Sequence, residues 1–238
     1  MPGLPGLIAT RGMYEVMTAG ARYPWVALPV ARWRGHGVPL SEDTDIVIEG
    51  FPRSGNTFAV AAFAVAQRGP VRIAHHVHAP GHVIEAVRQG LPVLVLIRRP
   101  EDAVREFVRI RPALTAAQAA RGYVRFYRPL VPHRHRFVVG SFEEVTTDFG
   151  AVIRRINERF GSSFAEFEHT ADNEAKVRQA ADRHWQERTG PGLPRLGRAS
   201  PIVDATEGDE RTPRTRLGRP GARPRLGKAI GLYRLLAG

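Results

Sequence analysis

The sequence predicts an α/β domain, a mainly parallel sheet with helices on both faces, followed by a basic C-terminal tail. Three observations carry that prediction. Short apolar runs alternate with longer helix-patterned segments, the rhythm of strand–helix–strand units rather than of hairpins. The clearest runs, Ile46-Val47-Ile48 and Pro92-Val-Leu-Val-Leu-Ile97, are apolar throughout, as strands covered on both faces must be. Loops rich in glycine, proline and arginine follow these runs, at the strand ends where open parallel sheets bind ligands.

Residues 1–40 are helix-compatible stretches broken by Gly and Pro and are expected to form an N-terminal helical arm. From Asp45 the first strand ends at Gly50, a loop spans Phe51–Thr57, and Phe58–Ala66 has the small apolar character of a buried helix. Val71–Ala74 predicts a second strand, leading into a histidine-rich stretch over 75–82 and a helix stopped by Gly90. The third strand ends at Arg98-Arg99-Pro100, where Pro at the first helical position and Glu101 and Asp102 in the first turn start another helix. Residues 114–129 predict a helix, Phe137–Gly140 a strand, and Phe149–Phe160 an amphipathic helix with Gly161 past its end. A last helix is expected over about 173–188. Thus 1–40 is read as the arm, 41–188 as the α/β domain, and 189–238 as a tail rich in Arg, Pro and Gly, partly disordered.

At 238 residues the chain suits one domain with a substantial core. Lys and Arg exceed Asp and Glu by 12, which favours anionic partners, and residues 211–238 supply eight of those charges through seven Arg and one Lys. The absence of cysteine removes disulfides, cysteine zinc sites and thiol nucleophiles, and makes a cytoplasmic location the default expectation. Trp25–Ala31, the longest apolar run near the N-terminus, falls far short of the roughly 20 residues of a membrane span. Arg11 and Glu15 interrupt any signal-peptide core.

The loop Gly50-Phe-Pro-Arg-Ser-Gly-Asn-Thr57 has the spacing of a phosphate-binding G-x4-G-K-[ST] loop, with Asn56 in the lysine position. Backbone N–H groups opening into a helix N-terminus cradle an anion whatever the side chains. Losing the lysine argues against ordinary ATP or GTP chemistry, and Arg53 offers a positive charge from another direction.

Here the chain resembles the sulfotransferases that use 3′-phosphoadenosine 5′-phosphosulfate (PAPS). Their loop P-[KR]-S-G-[NT]-T plus an aromatic is matched by Pro52-Arg53-Ser54-Gly55-Asn56-Thr57-Phe58, and their strand-ending Arg followed by x-P-x-D is approached by Arg98-Arg99-Pro100-Glu101-Asp102. Ser141-Phe142-Glu143-Glu144-Val145 resembles a third segment, with Phe142 where an aromatic adjoins the adenine. The resemblance covers about residues 45–165 and implies a P-loop NTPase-like sulfotransferase fold. It implies that Arg53, Ser54, Gly55, Asn56, Thr57 and Phe58 hold the 5′-phosphosulfate and that Arg98 holds the 3′-phosphate. A basic glycine-containing segment near the C-terminus completes that site in the family, and Arg214–Arg219, with Arg216, is the nearest counterpart. One departure is Glu106, standing where the family has a phosphate-binding Ser; either it turns towards Arg105 or Arg109, or 3′-phosphate recognition weakens or shifts to the tail.

Within Ala74-His75-His76-Val77-His78-Ala79-Pro80 the resemblance favours His78 as the catalytic base, since the family carries H-x-P after the preceding strand. Sulfuryl transfer to an alcohol requires loss of the hydroxyl proton, and an imidazole suits that task. His76 is second choice, on the same side as His78 if the strand continues that far. Two other readings are metal binding by His75, His76, His78 and His82, without a local carboxylate or cysteine to support it, and histidines that are solvated or structurally hydrogen-bonded. Arg53 would stabilise the leaving phosphate, and no metal is needed.

The expected function is therefore PAPS-dependent transfer to a hydroxyl or amine on a small-molecule, carbohydrate or lipid acceptor. Two alternatives are a small-molecule phosphotransferase using ATP and Mg²⁺ with Thr57 as metal ligand, and a non-enzymatic nucleic-acid or anion-binding module. No base-reading motif supports specific nucleic-acid binding, and the tail is the part expected to touch anionic surfaces.

Overall fold

The computed structural model describes residues 4–35, 37–189 and 223–238. Two helices open the chain, α1 (Leu4–Gly20) and α2 (Pro24–Arg34). Then β1 (Ile46–Gly50), α3 (Asn56–Ala66), β2 (Ile73–His75), α4 (Pro80–Arg88), β3 (Val93–Ile97) and α5 (Pro100–Ile110) alternate. They are followed by α6 (Ala116–Tyr127), a 3₁₀ segment Arg128–Arg136, β4 (Val138–Ser141), α7 (Phe142–Thr147), α8 (Phe149–Phe160) and α9 (Ala171–Thr189). The last described element is α10 (Arg223–Ala237).

The four strands form one parallel sheet in the order β2-β1-β3-β4. Because each strand is covered on both faces, alternate residues feed two cores. Val47, Val93, Val95 and Ile97 pack with α4, α5 and α6, whereas Ile46, Ile48, Leu94 and Leu96 pack with α3, α8 and α9. The α/β architecture with a parallel sheet is thus the one its apolar runs predict.

The chain steps from β1 to β2 on one side and to β3 on the other, so the carboxyl ends of β1 and β3 diverge into separate loops at a switch point. Gly50 of β1 stands opposite Leu96 of β3, and Ile97 of β3 opposite Ser141 of β4. These registers bring loop 51–55, Arg98 and Phe142 to one edge of the sheet, with the histidine loop after β2 on the other side of β1.

Three features depart from the sequence reading. Ser141 and Glu144 close a reciprocal capping box, so the Phe142 segment is itself the short helix α7. The second strand is three residues long and ends at His75, so strand alternation does not reach His76 and His78. Of the tail expected over 189–238, residues 223–237 are helical: Ala229 and Leu236 are buried, and Leu232 and Tyr233 pack against the α6 side of the core. That apolar spacing of three to four residues holds a helix on α6 despite Pro224, Gly227 and Gly231.

The arm is fixed by Glu15, whose carboxylate meets Arg121 at 3.2 Å and Arg125 at 2.6 Å, and by Arg11 donating to the Ala113 carbonyl at 2.8 Å. Among the described residues no helix is long and apolar enough to cross a membrane.

Candidate active site

The loop after β1 is held by groups beneath it. Tyr127 accepts from the Phe51 N–H at 3.2 Å, donates to the Leu96 carbonyl at 2.7 Å, and lies 3.3 Å from the Ser54 hydroxyl. One turn earlier Tyr123 donates to the Arg98 carbonyl at 2.9 Å. Two tyrosines of α6, four residues apart, therefore tie both signature loops to the sheet. Only their spacing on one helix face hinted at this.

Gly55 ends the loop at φ 93°, and no side chain caps α3. The first N–H groups of that helix thus lack carbonyl partners within it and point to where an anion would sit. Arg53, at φ 72°, is a non-glycine residue in the left-handed region, strain of the kind that collects at functional loops. Its Nε is buried without a hydrogen-bond partner among the described residues. Burial lowers the pKa of its guanidinium, and the nearest carboxylate, Glu106, stands 3.6 Å from Nη2 and opposes that shift. A cation in this condition fits a phosphate or sulfate oxygen.

Arg98 adjoins the loop directly, its Nη1 donating to the Arg53 carbonyl at 3.2 Å and its guanidinium lying 4.0 Å over the Phe142 ring. Phe142 in turn faces Gly55, where a Cβ would come within 3.3 Å of the ring. Loop 51–55, Arg98 and the Phe142 ring are one contiguous cluster. Glu106 takes two bonds from Arg109, at 3.1 and 3.0 Å, so it turns towards Arg109 and also reaches Arg53.

Two residues expected at the donor turn their side chains elsewhere. Asn56 lies under the loop, donating to the Phe51 carbonyl at 3.2 Å, so it shapes the cradle and offers an anion only its backbone. Phe58 is buried against Phe167 and His169 in the α3 core. Thr57 remains at the loop, with its hydroxyl 3.2 Å from Nε2 of His76. Arg216 lies outside the described residues.

The histidines are organised by a carboxylate that sequence reasoning passed over. Glu49, fully buried near the end of β1, accepts from the N–H groups of Val77 and His78 at 2.6 and 3.1 Å. Burial would push its carboxyl up, but the hydrogen bond and charge of His82, helped by His78 and the Val77 N–H, hold it below the ordinary 4.5. His82 accepts from the Leu40 N–H at Nε2, so its proton sits on Nδ1 and goes to Glu49 at 3.1 Å. Neither nitrogen of His82 is then available to a metal. Nδ1 of His78 donates to the Gly50 carbonyl at 2.8 Å, which leaves the lone pair of the neutral ring on Nε2. His76 and His78 both have positive φ, 59° and 53°, and their rings sit 5.6 Å apart. His76 is buried between His75, whose Nδ1 is 2.7 Å from its own, and Thr57. Among the described residues no group of three or more acidic or histidine side chains is placed to hold a metal ion.

Beside His78 lies a cavity of about 100 Å³, lined by Phe51, Pro52 and His78 from the strand ends, Arg125 from α6, and Tyr14 and Thr18 from α1. The arm therefore forms one wall of the site. A larger recess of about 400 Å³ lies near Leu91 and Phe160, ahead of β3 and so at the other end of the sheet. It contains none of these groups.

No protein-family model matches the chain, and no curated protein sequence matches it. Among solved structures, a mouse sulfotransferase complexed with PAP is similar at 16% identity and a TM-score of 0.39, over 60% of this chain and 65% of that one. The chain thus spans less than two thirds of that enzyme's length, and a likeness of this degree brings no activity with it.

Proposed function

We propose that the chain is a sulfotransferase that moves a sulfuryl group from PAPS to a hydroxyl or amine acceptor. The observation that carries this reading is the contact of Arg98 with both the Arg53 carbonyl and the Phe142 ring. It puts two cations and an aromatic plate around an uncapped helix N-terminus, which suits an adenine nucleotide with phosphates on both its 3′ and 5′ positions. In this reading Arg53 and the N–H groups at the start of α3 take the 5′-phosphosulfate, Arg98 the 3′-phosphate and Phe142 the adenine. The acceptor sits in the cavity against His78. As the acceptor oxygen bonds to sulfur, its proton passes to Nε2 of His78 and the bond between sulfur and the 5′-phosphate oxygen breaks. Charge growing on that oxygen meets Arg53, a preorganised cation.

The test is a comparison of melting shifts with 3′-phosphoadenosine 5′-phosphate (PAP), AMP, ADP and ATP with Mg²⁺. PAP at 100 times its Kd stabilises the protein by about 2.7 kcal/mol, and the others by less at equal concentration. A larger Mg²⁺-dependent shift from ATP would transfer the site to phosphoryl chemistry.

A further inference from the structure

The N-terminal arm has two unlike faces. Tyr14 and Thr18 of α1, with Ala21 just beyond it, line the cavity beside His78, while Ile8, Met13 and Val16, on the other side of the helix, are 63%, 62% and 71% exposed. None of the residues exposed along 8–20 is charged. In α2, Trp25 and Trp33 are 74% and 86% exposed, eight residues apart and so near one side of the helix. Seven of the eight large hydrophobic residues exposed among those described fall within residues 8–38, whereas scattered single ones are the ordinary case.

Along α1 and α2 the charges are nearly all of one sign, and the exposed acids Glu42, Asp43 and Asp45 come only in the loop after them. Residues 1–41 contain Arg11, Arg22, Arg32 and Arg34 against a single acid, Glu15. That acid is turned inward onto Arg121 and Arg125, while Arg22, Arg32 and Arg34 are exposed beside the tryptophans. Indole rings, aliphatic side chains and arginines without an outward acid are the composition of a helix lying in the headgroup region of a negatively charged membrane.

We infer that the outer face of α1 and α2 docks on an anionic lipid bilayer, with Trp25, Trp33, Met13 and Val16 in the headgroup boundary. Docking puts the helix that walls the cavity at the membrane surface. If the proposed sulfuryl transfer holds, the acceptor is then a hydroxyl carried by a lipid.

Flotation of the full chain with vesicles tests this, using phosphatidylcholine alone and with phosphatidylglycerol added. The protein floats with the anionic vesicles, and Trp25→Ala with Trp33→Ala cuts the bound fraction at least tenfold. Arg22→Gln, Arg32→Gln and Arg34→Gln together remove the preference for phosphatidylglycerol. Both variants keep the PAP shift of the parent, because these side chains lie outside the donor cluster, and the tryptophan variant also keeps its melting temperature. In a Trp185→Phe background, the fluorescence of Trp25 and Trp33 shifts to the blue on vesicles. No flotation, or flotation unchanged by the tryptophan substitutions, overturns the proposal. So does a concentration-dependent dimer that the tryptophan variant abolishes without any vesicle binding, since a second copy then covers the face. Vesicle binding does not involve PAP, so a protein that floats yet ignores PAP refutes the donor assignment alone.

Discussion

Nδ1 of His78 lies 2.8 Å from the carbonyl oxygen of Gly50, so the last residue of β1 sets the tautomer of an imidazole on the neighbouring loop. The basic nitrogen of the neutral ring is thereby Nε2. His78→Ala lowers kcat by roughly 10²–10⁴, the span of a lost general base, while PAP affinity stays at the parent value. Steady-state kinetics paired with calorimetry checks both halves. Near-full kcat in His78→Ala with loss in His76→Ala would move the role to His76.

Glu49 links stability to pH. Its folded-state pKa lies below the ordinary 4.5, so the carboxylate stabilises the fold above that value and the contribution is lost as pH falls through the folded pKa. Glu49→Gln keeps one acceptor oxygen, for Val77 and His82, but sets its amide N–H₂ against the His78 N–H, costing about 1–3 kcal/mol near neutrality. Urea unfolding of parent and variant shows the gap constant near neutrality and narrowing as pH falls below the ordinary 4.5 towards the lower folded-state value. A gap constant to lower pH would mean that the carboxylate is not what the pocket stabilises.

Glu106 is a negative charge inside the proposed donor site. Arg109 binds it from one side and Arg53 stands 3.6 Å away on the other. Glu106→Gln removes one like charge from the neighbourhood of a bound nucleotide phosphate, worth about 1 kcal/mol at partly solvated separations. PAP binding therefore tightens about fivefold, more at low salt than at high. Weaker binding in this variant would show that Glu106 is needed to aim Arg53.

The cavity wall depends on a missing side chain. A Cβ at Gly122 of α6 would overlap the Tyr14 hydroxyl. Gly122→Ala displaces Tyr14 and with it this part of α1, costing about 1–3 kcal/mol of stability. With the wall moved, the acceptor KM rises while PAP affinity is unchanged. Truncating the obstructing ring in a Tyr14→Leu, Gly122→Ala double variant restores part of the stability.

What could be read in advance follows from how local each feature is. Strand, loop and helix at 46–66, the arginine after β3 and the helix started by Pro100 are written in short-range patterns of apolar runs, Gly and Pro. Glu49 was invisible because its partners Val77, His78 and His82 lie 28 to 33 residues away and meet it only through the pairing of β1 with β2. Tyr123 and Tyr127 lie within the helix expected over 114–129, but their hydroxyl bonds depend on where α6 crosses the sheet ends. The helix α10 hid in an Arg, Pro and Gly composition whose few apolar residues matter only against α6. The left-handed conformations of His76 and His78 follow no sequence period, so strand alternation gave a wrong reason for placing those rings together.

In the proposed enzyme Arg98 reads a 3′-phosphate beside a 5′-phosphate loop. Calorimetric titration of the parent and of Arg98→Ala with PAP and with AMP tests it most directly, because the two ligands differ only in that phosphate. The parent prefers PAP by at least tenfold, and Arg98→Ala removes the preference while AMP binding changes little, a loss of about 1.5–3 kcal/mol for a charged hydrogen-bond partner. Equal affinity for PAP and AMP in the parent, or a preference that survives Arg98→Ala, would contradict it.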